Sequence, residues 1–125
     1  MPVVLIIEDN VQLSRLYTKT LDHAGYEVSY SGTCESAIEF LSQTTPDVII
    51  LDMLLPDGNG FSILEWMRSG PDRARFVCTK VVTVTGNQSF NAALKRAGVN
   101  HALFKPVSTF MLVDVVQQLA PAGVQ

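Results

Sequence analysis

Apolar runs and helix-like segments alternate along this chain from one end to the other. Four short apolar runs predict strands, and the first two have the pattern of strands buried on both faces: Val3–Ile7, 47–51, Lys80–Thr85 and His101–Phe104. A fifth segment, 26–30, alternates between apolar and polar residues, as an edge or half-buried strand does. The pattern therefore predicts five strands separated by longer segments.

Helical patterns occupy the segments between these strands. Asn10 can cap a first helix and Gly25 is suited to end it, while Thr33 can cap a second helix. Three further helices are predicted over 61–69, over 89–97, and from a cap at Ser108 or Thr109 to about Leu119. Each predicted strand is thus followed by a predicted helix.

Apolar spacing also predicts which helix faces are buried. In the first helix these positions are Val11, Leu13, Leu16, Tyr17 and Leu21. In the last helix they are Phe110, Val113 and Val116, and in the third helix Trp66 and Met67 are interpreted as packing residues.

Five strand–helix units in a row predict an α/β domain of the (βα)5 type. Strands rich in Val, Ile and Leu that alternate with helices favour a parallel sheet covered on both faces, and such crossovers are right-handed. In an open sheet of this type, ligands bind beyond the carboxyl ends of the strands. The chemistry is therefore expected just after each strand.

Composition and charge narrow the class of protein. The 125 residues, with 47% hydrophobic and 17% charged side chains, suit one globular domain. A net charge of -3 gives no basic surface for nucleic acid. The first apolar run is too short for a signal peptide or a membrane span. Cys34 and Cys78 lie in unrelated contexts, which predicts reduced thiols in a cytoplasmic protein.

Polar residues with a specific chemistry follow four of the predicted strands. They are Glu8 and Asp9 after the first strand, Asp52 after the third, Thr85 and Gly86 at the fourth, and Lys105 after the fifth. If these strands are neighbours in the sheet, three carboxylates, a hydroxyl and an ammonium group converge on one cleft.

The charges of this group predict a cation and a phosphoryl group. Three carboxylates alone would repel one another, whereas Mg²⁺ prefers oxygen ligands and shares its shell with phosphate oxygens. Asp52 is then a candidate nucleophile towards phosphorus. Lys105 would offset the charge of the phosphoryl oxygens, and the Thr85 hydroxyl and the Gly86 N–H could donate hydrogen bonds to them.

Four motifs at the strand ends resemble those of the receiver domain of two-component response regulators. They are EDN, LDMLLPDGNG, VTVTG and FKPV, which occur in the order found in that family. The resemblance covers about 3–119 and implies a flavodoxin-like, doubly wound parallel sheet with strand order 2-1-3-4-5. It implies a receiver domain over 1–120, with 121–125 as a C-terminal tail or the start of a linker.

The resemblance also implies roles for individual residues. Asp52 would accept a phosphoryl group from a histidine kinase or a histidine phosphotransfer protein, and the domain would then switch conformation. Mg²⁺ would be held by Asp9 and Asp52, by Glu8 through water, and by the backbone carbonyl of Leu54. The module would catalyse its own phosphorylation and dephosphorylation without being a conventional enzyme, and its downstream output is not indicated.

Further roles follow for the residues of the fourth and fifth strands. Lys105 would bind the phosphoryl group, the backbones of Leu54 and Gly86 would contact it, and Thr85 would be the switch hydroxyl. The Lys105–Pro106 peptide is often cis in this family, as X-Pro bonds permit.

The sequence departs from the family pattern at Ala102, where receiver domains usually carry the aromatic ring of the switch. Alternation along the strand places His101 on the opposite face. Phe104 shares the face of Ala102 but lies two residues nearer the cleft, so it is not an equivalent replacement. Any output is therefore expected to travel differently from the usual one.

Other functions remain open beside the phosphoacceptor. A receiver kept only for docking, without phosphorylation, gains weight from Ala102. A phosphohydrolase of the haloacid dehalogenase type needs a second acid where Leu54 stands, and in a flavodoxin Glu8 and Asp9 would repel the phosphate of the flavin. Asp57 is interpreted as a turn residue with no chemistry.

Overall fold

A computed structural model describes residues 1–122 of the chain, so residues 123–125 of the predicted tail lie outside the described part. The strands of the main sheet are β1 Val3–Ile7, β2 Glu27–Ser31, β3 Val48–Asp52, β4 Lys80–Thr85 and β5 His101–Phe104. The helices are α1 Val11–His23, α2 Cys34–Gln43, α3 Gly60–Ser69, α4 Asn91–Arg96 and α5 Thr109–Leu119. None of these helices is long and apolar enough to span a bilayer.

The five main strands form one parallel sheet in the order β2-β1-β3-β4-β5. This confirms the predicted α/β class and strand order, and the fold is flavodoxin-like. The alternating strand β2 lies at the edge, where one partner strand suffices. The strands β1 and β3, which are apolar apart from Asp52 at the end of β3, lie inside, where both faces are covered.

Alternation along the strands divides the core into two layers. Leu5 and Ile7 of β1 point to the side covered by α2 and α3, together with Ile49 and Leu51 of β3. Side chains of the opposite parity, such as Ile6, point to the side covered by α1 and α5. Each face of the sheet is therefore buried by helices, as the strand composition predicted.

The helix caps confirm most of the predicted helix starts. The Asn10 side chain accepts a hydrogen bond from the Leu13 N–H at 3.1 Å, and Ser108, rather than Thr109, accepts one from Met111 at 3.1 Å. Thr33 caps α2. Gly25 follows α1 with φ of 101°, a left-handed conformation that favours glycine after a helix.

The buried face of α5 differs from the prediction. Phe110 is 87% exposed, whereas Leu112, Val115 and Val116 are buried against the sheet. Positions 112, 115, 116 and 119 follow the i, i+3, i+4, i+7 spacing of one helix face, and this set decides the orientation. Val113 is only partly buried, so of the predicted face only Val116 is fully in the core.

The first helix shows a smaller difference of the same kind. Tyr17 and Leu21 are buried as predicted, but Val11 and Leu16 are 61% and 47% exposed. Ser14 takes a buried position between the apolar ones, because it lies on the same face as Tyr17 and Leu21.

The structure of two other segments differs from the prediction. The segment 52–60 is not a plain loop, because Leu54–Leu55 pairs with Gly58–Asn59 in a short antiparallel hairpin. We call residues 54–59 the hairpin. The fourth helix begins later than predicted, since Gln88–Phe90 forms a 3₁₀ turn before α4 starts at Asn91.

Candidate functional site

Neighbouring strands bring three carboxylates together at the carboxyl edge of the sheet. Glu8 follows β1 and Asp52 ends β3, and these strands are paired with Ile7 opposite Leu51. One carboxylate oxygen each from Glu8, Asp9 and Asp52 lies within 4.8 Å of the other two. We call these three residues the acid cluster. Glu8 and Asp52 are buried, with 4% and 6% of their surface exposed, whereas Asp9 faces solvent.

Lys105 reaches the same cluster from the other side. Its Nζ lies 3.1 Å from Glu8 Oε1 and 3.5 Å from Asp52 Oδ2. Lys105 follows β5, which is separated from β3 by β4, so its long side chain spans the end of β4. The peptide between Lys105 and Pro106 is cis, as the resemblance implied.

Burial and neighbouring charge shift the ionisation of this group. Burial, followed by a hydrogen bond with Asp52, raises the pKa of Glu8 to about 7, although the Asn10 N–H and Lys105 act in the opposite direction. Burial alone would lower the pKa of Lys105, but the hydrogen bond to Glu8 and the charge of Asp52 outweigh it, so the net pKa is raised. The single positive charge of Lys105 therefore does not offset the negative charge of the three carboxylates.

The donor set fits a hard divalent cation. Three carboxylates whose oxygens lie this close match the all-oxygen coordination that Mg²⁺ prefers, and a cation would relieve the cost of ionising Glu8. The Leu54 N–H donates a hydrogen bond to Asp52 Oδ1 at 3.1 Å, so the hairpin backbone begins directly at the acid cluster.

Thr85 and Gly86 lie at the same edge of the sheet, where Thr85 ends β4. The Thr85 hydroxyl is buried and accepts a hydrogen bond from the Asn87 N–H at 3.2 Å, and within residues 1–122 no hydrogen bond joins it to the acid cluster. Gly86 is exposed, and a Cβ built on it would meet nothing within 4 Å. The structure therefore places both residues at the carboxyl end of β4, with open space at Gly86.

The position of Ala102 follows the predicted alternation of β5. Ala102 packs towards the core layer under α2 and α3, and His101 points away and is exposed. Leu103, of the same parity as His101, is buried in the layer under α1 and α5. The side chain of Ala102 ends at Cβ, so the position at which receivers usually carry a ring holds only a methyl group here.

Sequence reasoning missed the contacts of Asp57. Its Oδ1 accepts a hydrogen bond from the Cys34 N–H at 2.7 Å, and its Oδ2 accepts one from Glu35 at 3.0 Å. These two backbone donors lower the pKa of the Asp57 carboxyl. Asp57 is therefore not only a turn residue, and nothing local to the sequence could show it, because its partners lie 23 and 22 positions away.

Exposed apolar side chains surround the acid cluster. Val11, Tyr30 and Leu54 are 61%, 67% and 58% exposed. Val11 and Tyr30 line a cavity of about 140 Å³ together with Glu8 and Asp9. Glu8 and Asp9 thus line this depression together with Ser14, Arg15 and Gly32 as well as the two apolar side chains.

An open parallel sheet that carries an acid cluster and a lysine at its carboxyl edge defines a flavodoxin-like domain with a candidate cation site. A sequence model of the response regulator receiver domain matches residues 4–117. The chain therefore belongs to the response regulator receiver domain family, whose members are modules of two-component signalling and are generally not classed as enzymes.

Individual relatives agree with this assignment. The polar-differentiation response regulator DivK of Brucella anthropi is 23% identical over 114 residues, which are 91% of this chain and 92% of that protein. The chemotaxis response regulator CheY4 of Vibrio cholerae is 26% identical with a TM-score of 0.85, covering 95% of this chain and 98% of that one. A CheY-like receiver domain protein of Methanospirillum hungatei shares the fold. It is 22% identical with a TM-score of 0.83, covering 94% of this chain and 92% of that one.

Proposed function

We propose that this receiver domain accepts a phosphoryl group on Asp52 from a phosphohistidine of a histidine kinase or of a histidine phosphotransfer protein. The observation that carries the proposal is the convergence of Glu8, Asp9 and Asp52 with the Lys105 ammonium at the carboxyl edge of the sheet. In the transfer, an Asp52 oxygen forms the bond to phosphorus, the bond from phosphorus to the histidine nitrogen breaks, and that nitrogen keeps the electron pair.

The proposed cofactor is Mg²⁺, held by Asp9 and Asp52, by Glu8 through water, and by the Leu54 carbonyl. When bound, the cation offsets the negative charge of the carboxylates and of the phosphoryl oxygens. The Leu54 N–H orients the Asp52 carboxylate through its hydrogen bond to Oδ1. Lys105, already within 3.5 Å of Asp52 Oδ2, would contact the phosphoryl oxygens once the group is on Asp52.

Exposed apolar side chains near the acid cluster support a protein as a phosphoryl donor. Asp52 is only 6% exposed, so a donor has to bring its phosphorus close to a carboxylate that is almost covered. Val11, Tyr30 and Leu54 offer exposed apolar contacts near the acid cluster. Burying such side chains against a partner helps to hold a protein complex together.

Thr85, Gly86 and Ala102 are proposed to form the part of the domain that responds to phosphorylation. On phosphorylation, the Thr85 hydroxyl would leave the Asn87 N–H and turn to the phosphoryl oxygens, which the Gly86 N–H would also contact. Ala102 has no ring to follow this movement. The receiver domain is proposed to span 1–120 of a cytoplasmic protein, with an output that is still to be identified.

The phosphorylation proposal is tested with acetyl phosphate and Mg²⁺, followed by intact mass. The parent protein should gain one phosphoryl group, and Asp52→Ala should gain none because the acceptor oxygen is missing. Asp22→Ala serves as a matched control, since Asp22 is an exposed acid on α1 outside the acid cluster. Uptake by Asp52→Ala at the parent level would refute the assignment.

Ala102 supports a second candidate, a receiver that docks to partners without being phosphorylated. In that case neither Mg²⁺ nor beryllofluoride should change the amide chemical shifts around the acid cluster. The phosphoacceptor predicts the opposite, with shifts concentrated at 8–10, 52–54 and 85–87. The receiver family match also favours either candidate over a phosphohydrolase, which needs an acid at the position of Leu54.

A further inference from the structure

The hairpin that follows Asp52 is attached to the start of α2 by a side chain. The Asp57 carboxylate accepts hydrogen bonds from the N–H groups of both Cys34 and Glu35, at 2.7 and 3.0 Å. A second contact joins the same elements, because Cys34 Sγ lies 3.6 Å from the Asn59 carbonyl oxygen. The hairpin and the N-terminus of α2 are therefore linked at two points.

This link is separate from the cap that α2 already has. Thr33 Oγ1 accepts a hydrogen bond from the Ser36 N–H at 3.0 Å, and the Thr33 carbonyl accepts one from Ala37 at 3.1 Å. A helix start needs partners for its first N–H groups, and exposed groups can find them in water. Unlike Thr33, Asp57 connects the helix to the hairpin.

The hairpin joins the contact with α2 to Asp52, because its first residue is hydrogen-bonded to the Asp52 carboxylate. Asp52 Oδ1 accepts the Leu54 N–H at 3.1 Å, and Leu54 is paired with Asn59 across the hairpin. The base is closed by a hydrogen bond of 3.0 Å from the Gly60 N–H to the Met53 carbonyl oxygen. It is also tightly packed, because a Cβ on Gly60 would lie 2.7 Å from Met53 Sδ.

We propose that Asp57 is a positioning residue, which clamps the hairpin to α2 and thereby fixes the Leu54 backbone beside Asp52. The inference rests on the proposed function, since it concerns the backbone expected to contact the cation and the phosphoryl group. Asp57 touches neither of them. It acts by holding the hairpin in the conformation in which the Leu54 carbonyl can serve as a ligand without further ordering.

The test compares Asp57→Ala with Thr33→Ala. Both substitutions remove a cap from the first turn of α2, but only Asp57→Ala also removes hydrogen bonds between α2 and the hairpin, leaving the Cys34–Asn59 contact. Removing groups that orient metal ligands typically weakens metal binding 10–100-fold, and we expect about tenfold for Asp57→Ala because it acts through the backbone. Thr33→Ala should bind Mg²⁺ within about twofold of the parent. Calorimetric titration with MgCl₂ measures both.

Hydrogen exchange in the metal-free proteins gives a second readout that does not depend on phosphorylation. The amides of Leu54 and Gly60 should exchange about tenfold faster in Asp57→Ala than in Thr33→Ala, because local opening of the hairpin becomes easier. Asp57→Asn, which keeps one acceptor oxygen and removes the charge, should give an intermediate result. This variant preserves the test if Asp57→Ala does not fold.

The outcomes separate the two proposals. If the parent takes up phosphate from acetyl phosphate but Asp57→Ala and Asp57→Asn match Thr33→Ala in Mg²⁺ affinity and in exchange, the role of Asp57 is refuted and the proposed function stands. If Asp52 of the parent is not phosphorylated, the proposed function fails on its own. Weaker Mg²⁺ binding together with faster exchange at Leu54 and Gly60 supports the clamp.

Discussion

Glu8 is the residue at which burial and charge conflict most directly. It is 4% exposed and its carboxylate lies close to that of Asp52, and both effects favour its protonated form and raise its pKa to about 7. A carboxyl whose pKa is raised in the folded state stabilises the fold below its ordinary pKa of 4.5, and this contribution is lost as the pH rises through 7. Lys105 limits the effect through its ion pair with Glu8.

The first prediction is that Mg²⁺ binding depends on pH through Glu8. A cation binds the ionised carboxylate of Glu8, so below pH 7 the binding of Mg²⁺ should displace a proton from Glu8. The affinity for Mg²⁺ should therefore rise by up to about tenfold per pH unit and level off above pH 7. Glu8→Gln should bind more weakly and with a nearly flat pH dependence. Calorimetry at pH 6, 7 and 8 measures this.

The control for this prediction is Glu27→Gln, because Glu27 is an exposed acid at the start of β2. This variant should follow the parent at each pH. A Glu8→Gln protein that retained the full pH dependence of the parent would show that another group titrates.

At the scale of elements, α2 is held at both ends by residues from other segments. Asp57 of the hairpin binds the N–H groups of its first turn. At the other end, the Arg75 guanidinium donates to the Leu41 carbonyl oxygen at 2.8 Å and to Thr45 Oγ1 at 3.0 Å. The segments before and after α3 therefore fix the position of α2.

The orientation of α5 leads to a prediction about neighbouring residues. Leu112 is fully buried, so Leu112→Ala should lower the free energy of unfolding by about 2–5 kcal/mol through lost contacts and a residual cavity. Phe110 is 87% exposed, so Phe110→Ala should change it by no more than about 0.5 kcal/mol. Urea denaturation of both variants, monitored by circular dichroism, measures the difference. Equal losses would contradict the orientation described for α5.

At the scale of the whole molecule, the sheet brings distant segments together at both edges. At the carboxyl edge, Lys105 contacts Glu8 across 97 positions of the chain. At the opposite end of the domain, the Tyr26 hydroxyl donates a hydrogen bond to the Ala120 carbonyl oxygen at 2.7 Å, across 94 positions. Ala122 packs in the same core layer, so the chain remains in contact with the domain up to this point.

The Tyr26 contact predicts how the segment after α5 contributes to stability. Tyr26→Phe keeps the buried ring and removes one hydrogen bond, which should cost about 1 kcal/mol and lower the Tm by roughly 3–5 °C. Tyr30→Phe is the matched control, because Tyr30 is 67% exposed. Differential scanning calorimetry compares the two. An unchanged Tm in Tyr26→Phe would show that this hydrogen bond does not stabilise the domain.

Local patterns were sufficient to predict the five strands of the main sheet, the five helices and their order. Continuous apolar runs identified β1 and β3, and Asn10 and Thr33 identified the starts of α1 and α2, because strand burial and capping depend on a few neighbouring residues. The hairpin escaped prediction, since turn residues such as Pro56 and Gly58 also suit an open loop. The face of α5 was predicted with Phe110 inside because apolar spacing alone cannot tell which of two overlapping stripes meets the sheet.

The sequence by itself determined the fold class, the strand order through its family motifs, and the set of chemical groups at the strand ends. Those properties are encoded locally, in hydrophobic periodicity and in short motifs. Only the tertiary structure decided that Lys105 contacts Glu8, that Thr85 bonds to Asn87 instead of the acids, and that Asp57 joins the hairpin to α2. Contacts and burial depend on how strands and helices pack across the sheet, and so do the shifted pKa values of Glu8 and Lys105.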